Sequence, residues 1–136
     1  MNLLVDSSVW LWITGERAAP RFVNYFNAAQ AAHTICSTGM VRLEVMLGAE
    51  SWNELLELQL LFSGFVEVEP RGETWDEAGR LNMRMRAKGF NLKAADLVIA
   101  SVAIENSLRL VHADSDFESI AQHEGLKTES LLHLVE

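Results

Sequence analysis

Leu3-Leu4-Val5-Asp6-Ser7-Ser8-Val9-Trp10 is the stretch that decides the fold. Its leading apolar run is too short for a helix, so it forms a central strand covered on both faces, and that strand ends on a carboxylate. Ser7 or Ser8 then caps a helix over residues 9–13, which Gly15 breaks. Pro20, a good first-turn residue, opens a second helix that runs to about Ala32, and residues 34–37 form the next strand. A helix over residues 40–49 carries Glu44. The following one, from Trp52 to Phe62, is more apolar than one buried stripe requires, which predicts that part of it meets a partner. Residues 65–70 alternate as a short strand near an edge, ended by Pro70, and a helix over residues 74–87 follows. Residues 93–105 are apolar almost all round, a buried helix with Asp96 in its first turn. After a strand over residues 108–112, Asp114-Ser115-Asp116 opens a helix over 117–123 that closes at Gly125, and a last short strand covers residues 126–128. Strands alternating with helices imply an α/β chain with a parallel sheet covered on both faces, in which ligands gather beyond the carboxyl ends of the strands.

The 136 residues carry 49% hydrophobic side chains and only two prolines, with no repeat or low-complexity tract, so residues 1–136 are expected to form one domain. The N-terminus has no basic leader and no apolar run is long enough to span a bilayer, which predicts a cytoplasmic protein without a membrane segment. The lone Cys36 sits in a buried strand, where a thiol serves as a small core hydrophobe. A net charge of −8 argues against indiscriminate binding of nucleic acid. The cations are nevertheless concentrated: Arg80, Arg84, Arg86, Lys88 and Lys93 lie just before Asp96. They read either as a phosphate-tracking rim beside an acidic pocket or as a solvated helix face in which Asp76 pairs with Arg80 at i,i+4.

Asp6, Glu44, Asp96, Asp114 and Asp116 fall where separated elements of such a sheet bring them together. Taken singly, Asp96, Asp114 and Asp116 are ordinary helix caps or dipole partners, and Glu44 is an ordinary solvated side chain beside Arg42. Asp6 is different, because an unpaired acid at the end of a doubly covered strand is costly. Gathered acids repel and raise the pKa of at least one of them, so a divalent cation is the natural reason for the set. His33, His112, His123 and His133 lack paired spacing, and with one cysteine no zinc cage forms. An all-oxygen pocket favours Mg²⁺ or Mn²⁺. Neither a dinucleotide-binding nor a P-loop glycine pattern occurs.

Asp6-Ser7-Ser8-Val9-Trp10, Arg42-Leu43-Glu44-Val45, Ala95-Asp96-Leu97-Val98-Ile99-Ala100 and Leu110-Val111-His112-Ala113-Asp114-Ser115-Asp116-Phe117 together resemble the PIN-domain family, and within it the VapC type of toxin ribonuclease. The likeness covers essentially the whole chain, with the motifs in the family's order. It implies a PIN-like three-layer sandwich, about five parallel strands with helices on both faces, and Mg²⁺- or Mn²⁺-dependent cleavage of RNA. Asp6 and Asp96 match the family's principal metal ligands, and Glu44 and Asp114 complete the shell or orient the attacking water, a role Asp116 shares. Ser8 matches a small polar position that holds the first acid. His112 departs from the hydroxyl residue found there in many members. The resemblance also implies a homodimer and a VapB-type antitoxin whose amphipathic tail lies in a groove, for which Trp10, Trp12, Trp52, Leu55 and Leu56 are the candidate contacts. Arg80, Arg84 and Lys93 are the candidate RNA contacts.

Two rival readings stand beside this one. A phosphatase or phosphoryl switch of the haloacid-dehalogenase kind, built on Asp6, wants a second acid two residues on, where this chain has Ser8. A non-catalytic RNA- or partner-binding module is opposed by the intact Asp6, Glu44, Asp96 and Asp114. The identity of the RNA is not written in the sequence, since target choice depends on surface shape.

Overall fold

The structure is a computed structural model that describes residues 2–135. Strand β1 (Asn2–Val5) lies at the centre of a parallel five-stranded sheet in the order β3-β2-β1-β4-β5. Its neighbours are β2 (Thr34–Ser37) and β4 (Arg109–His112), and β3 (Val66–Glu67) and β5 (Lys127–Ser130) form the edges. Leu3, Leu4 and Val5 are buried, as a strand covered on both faces requires, and Leu4 sits in register between Cys36 and Leu110.

Helices α1 (Ser7–Trp10) and α2 (Pro20–Ala32) connect β1 to β2, and α3 (Gly39–Met46) and α4 (Trp52–Phe62) connect β2 to β3. The chain then crosses back through α5 (Gly72–Ala87) and α6 (Ala94–Glu105) to β4, and through α7 (Ser115–His123) to β5. Right-handed crossovers running in opposite directions put α1 to α4 on one face of the sheet and α5 to α7 on the other, which makes three layers. The winding reverses between β1 and β4. Their outgoing segments therefore diverge to opposite faces and leave a crevice beyond the carboxyl ends of these two strands. Helix α6, buried continuously from Asp96 to Ala103, packs against α5 and carries its first turn to that crevice.

Local differences from the sequence expectation have physical causes. Helix α1 stops at Trp10 instead of residue 13 because Trp10 is pinned: its indole N–H donates to the Val5 carbonyl at 3.1 Å, and its ring packs on Phe26, Phe62 and Phe65. Trp10 is 0% exposed, so it belongs to the core and not to any partner groove. The cap of α1 is the Asp6 carboxylate, which accepts the Ser8 amide, in place of a serine hydroxyl. Strand β3 keeps only two of the six expected residues, since Phe65 turns into the aromatic cluster and Arg42 draws Glu67 and Glu69 together. The last strand pairs over residues 127–130 because the register beside β4 starts at Arg109 with Lys127.

Candidate metal centre

Asp6 emerges from the end of β1 and is held from two directions. Its Oδ2 accepts both the Ser8 hydroxyl, at 2.6 Å, and the Ser8 amide, at 3.0 Å. The same hydroxyl oxygen accepts the Ala113 amide at 2.9 Å, so Ser8 ties the turn after β1 to the turn after β4 across the crevice. Burial pushes the Asp6 carboxyl up, the Ser8 hydrogen bonds pull it back, and the nearby Asp114 raises it further. Glu44 reaches the site from α3, where the Ser7 hydroxyl donates to its Oε1 at 3.0 Å. Ser7 is a positioning residue that sequence reasoning placed only as a possible cap. The S-S pair after Asp6 is its signal, one hydroxyl for each of two acids.

Asp96 stands in the first turn of α6 and is 5% exposed. Its carboxyl is pushed up to about 7, first by burial, then by Asp6, Asp114 and Glu44, against the opposing pull of Lys93. Glu44 is raised by burial and by Asp6 and Asp114, with Ser7 and Lys93 pulling it down. Asp114 caps α7 through its Oδ1, which accepts the Asp116 amide at 3.0 Å. Asp96, Asp114 and Asp116 each offer a carboxylate oxygen within 4.8 Å of the others. Asp6 and Glu44 stand outside that tightest group but act on it electrostatically.

The donor set fits a hard divalent cation. Asp6 Oδ1 and Asp96 Oδ2 are buried without a hydrogen-bond partner, two acceptors turned away from water and left unpaired by the protein. An unpaired buried carboxylate oxygen is costly unless a cation completes it, and oxygen-only donors suit ions of the Mg²⁺ class.

The candidate cations divide. Lys93 lies near enough to lower both Asp96 and Glu44, at the N-terminal boundary of α6. Arg80 is paired with Glu77 at 2.9 Å, and Arg84 bridges Glu77 and Glu124 at 2.9 and 3.0 Å. Both arginines are therefore neutralised locally, the solvated-helix reading of that charge run, although the partner of Arg80 is Glu77 and not Asp76. His112, fully buried at the end of β4, carries the Asp114 amide on Nδ1 at 3.2 Å.

The PIN domain family profile matches residues 3–122. The chain belongs to the PIN-domain family. This PIN domain is similar to Ribonuclease VapC11 of Mycobacterium tuberculosis, 28% identical over 133 residues that cover 94% of this chain and 98% of the relative. Ribonuclease VapC2 of the same organism is 34% identical over 102 residues, 71% of each chain. In backbone, the PIN domain resembles a chain in the crystal structure of VapBC2 from Rickettsia felis bound to a DNA fragment from its promoter. The TM-score is 0.80 over 96% of this chain and 98% of that one, at 17% identity.

Proposed function

We propose that this PIN domain is a toxin ribonuclease of the VapC type, which hydrolyses RNA phosphodiester bonds with Mg²⁺ or Mn²⁺ and is neutralised by a VapB-type antitoxin. The observation that carries this reading is the convergence of Asp6, Glu44, Asp96 and Asp114 on one crevice, with buried carboxylate oxygens of Asp6 and Asp96 left unpaired. Asp96, Asp114 and Asp116 would hold the ion, Asp6 would add its unpaired Oδ1 beside them, and Glu44, steadied by Ser7, completes the shell or orients water. The bound ion supplies Lewis acidity, polarising a phosphoryl oxygen and making water a competent nucleophile near neutral pH. Lys93 meets a backbone phosphate at the mouth of the site and offsets part of the repulsion between acidic protein and RNA.

The antitoxin seat is a groove of about 810 Å³ beside α1, α3 and α4. Leu11, Val45, Leu58 and Leu61 supply its apolar lining, and Glu16, Arg17, Glu50, Glu54 and Glu57 its charged lining. An amphipathic helix with apolar anchors and basic flanks matches that lining. None of Trp12, Trp52, Leu55 and Leu56 lines this groove: Trp52, 85% exposed, and Leu56 lie one turn apart on the other side of α4, and Leu55 is half-buried. Trp12 contributes indirectly: it stacks on Phe22 and carries Arg17 over its ring. The likeness to VapC ribonucleases supports a homodimer that acts in the cytoplasm. Among the described residues no helix is long and apolar enough to cross a membrane.

The test incubates the purified chain with RNA, with and without Mn²⁺, beside Asp6→Asn. Cleavage that needs the metal and falls about 10²-fold or more in the variant supports the nuclease. Cleavage that survives without metal overturns the metal-dependent reading, and none on diverse RNAs favours a binding module.

A further inference from the structure

Buried histidine is an unusual choice at the end of β4, because an imidazole removed from water needs partners for two nitrogens. His112 has both. Its Nδ1 accepts the Asp114 amide at 3.2 Å, and its Nε2 lies 2.7 Å from Glu118 Oε1. A ring nitrogen that accepts an N–H carries no hydrogen itself, so the ring proton sits on Nε2 and is donated to Glu118. The Thr128 hydroxyl, from β5, donates to the same Glu118 oxygen at 2.8 Å. A chain of hydrogen bonds thus runs from the edge strand through α7 and β4 to the backbone of Asp114, whose carboxylate faces Asp96 and Asp116. The preceding amide, that of Ala113, goes instead to Ser8 and so to Asp6. Two consecutive amides of one turn are therefore tied to opposite walls of the crevice, and each tie fixes one acid.

We propose that His112, Glu118 and Thr128 form a positioning relay that sets Asp114 for metal binding, with Glu118 fixing the tautomer that lets His112 hold the Asp114 amide. The relay rests on the reading that the acids hold a divalent cation, and it assigns Glu118 and Thr128 a part in that site although neither touches it. None of the three is a catalytic residue. Glu118 orients the imidazole, the imidazole orients the turn, and the turn aims the carboxylate, the arrangement by which outer partners tune a metal ligand.

The test uses the full chain with Mn²⁺ alone as the probe, titrated calorimetrically, beside thermal unfolding of the metal-free protein. His112→Leu, which fills the buried space but accepts no hydrogen bond, is expected to weaken Mn²⁺ about 10-fold or more. His112→Asn, whose side-chain oxygen can take the Asp114 amide, is expected to keep Mn²⁺ affinity within about 3-fold of the parent while unfolding earlier. A residue that merely packs the core gives the opposite order. Glu118→Leu, on a partly exposed side chain, removes the acceptor of the ring proton and is likewise expected to weaken Mn²⁺. Nitrogen NMR of the metal-free imidazole reads the tautomer directly. A hydrogen found on Nδ1 overturns the relay, as does unchanged Mn²⁺ affinity in His112→Leu or Glu118→Leu. A parent protein that binds no Mn²⁺ removes the metal reading itself, and the relay with it.

Discussion

Asp96 holds its proton to about pH 7, far above the value of 3.8 it has when unfolded, and this fixes the sign of a pH effect. The folded, metal-free state binds that proton more tightly than the unfolded state. The stability that Asp96 contributes is therefore fully present below about pH 4, falls as pH rises from about 4 to about 7, and stays lost above. Asp6 and Glu44, both raised by burial, act in the same direction. Glu118 is lowered by Thr128 and His112, so its contribution is lost only as pH falls below its ordinary value of 4.5, at the acid edge of that window. In chelator, the unfolding temperature is expected to drop on the order of 5 °C between about pH 5 and about pH 7.5. Asp96→Asn should flatten that drop and raise the unfolding temperature near neutrality while abolishing RNA cleavage. Mn²⁺ should stabilise the parent more near neutrality than near pH 5, because metal and proton compete for one carboxylate. A melting curve indifferent to pH in chelator would remove the case for a strained acidic cluster.

At the scale of elements, the alternation of strand and helix was legible because its signals are local: Leu3 to Val5 too short for a helix, Pro20 at a helix start, Asp114 at a cap. The central place of β1 followed from its unbroken apolar run, and the acids at the ends of β1 and β4 followed from the chain order. What one-turn helices do with their side chains was not legible. Trp10 and Trp12 both read as surface candidates, yet the bond from Trp10 to the Val5 carbonyl turns the first of them into the core. Trp10→Ala is accordingly expected to cost about 3–5 kcal/mol in urea unfolding, and Trp52→Ala less than about 0.5 kcal/mol. Equal costs would place Trp10 in the wrong layer. The partners of Arg84 were hidden for another reason, since Glu124 lies 40 residues away and only the packing of the fold brings it close. With its guanidinium committed to Glu77 and Glu124, Arg84 is a poor RNA contact, and Arg80 is held by Glu77 in the same way. Lys93→Ala should then slow cleavage several-fold and reduce its salt dependence, whereas Arg80→Ala should leave both near the parent's. The reverse order in a salt series of initial rates would move the RNA track onto α5.

Across the whole molecule, a net charge of −8 was visible in the composition, but its placement was not. Glu16 follows α1, Glu50 precedes α4, and Glu54 and Glu57 ride on α4, yet all four line one groove with a single Arg17 among them. Acids from separated segments that line one groove together with apolar side chains select a basic, amphipathic partner and steer it by charge. Charged groups at a rim affect mainly the association rate and its salt dependence, while apolar anchors set the dissociation rate. Reversing two rim charges together, Glu54→Lys with Glu57→Lys, should thus slow association with the antitoxin about 10-fold at low salt and flatten its dependence on ionic strength. Leu58→Ala should act on dissociation instead. Both variants should cut RNA at the parent's rate when no antitoxin is present, since the groove contributes none of the acids. Surface plasmon resonance over a salt series, paired with an RNA cleavage assay, separates these effects. An association rate unchanged by the double reversal would mean that the antitoxin sits on another face of the toxin, with the exposed apolar side of α4 around Trp52, Leu56 and Leu60 the next surface to examine.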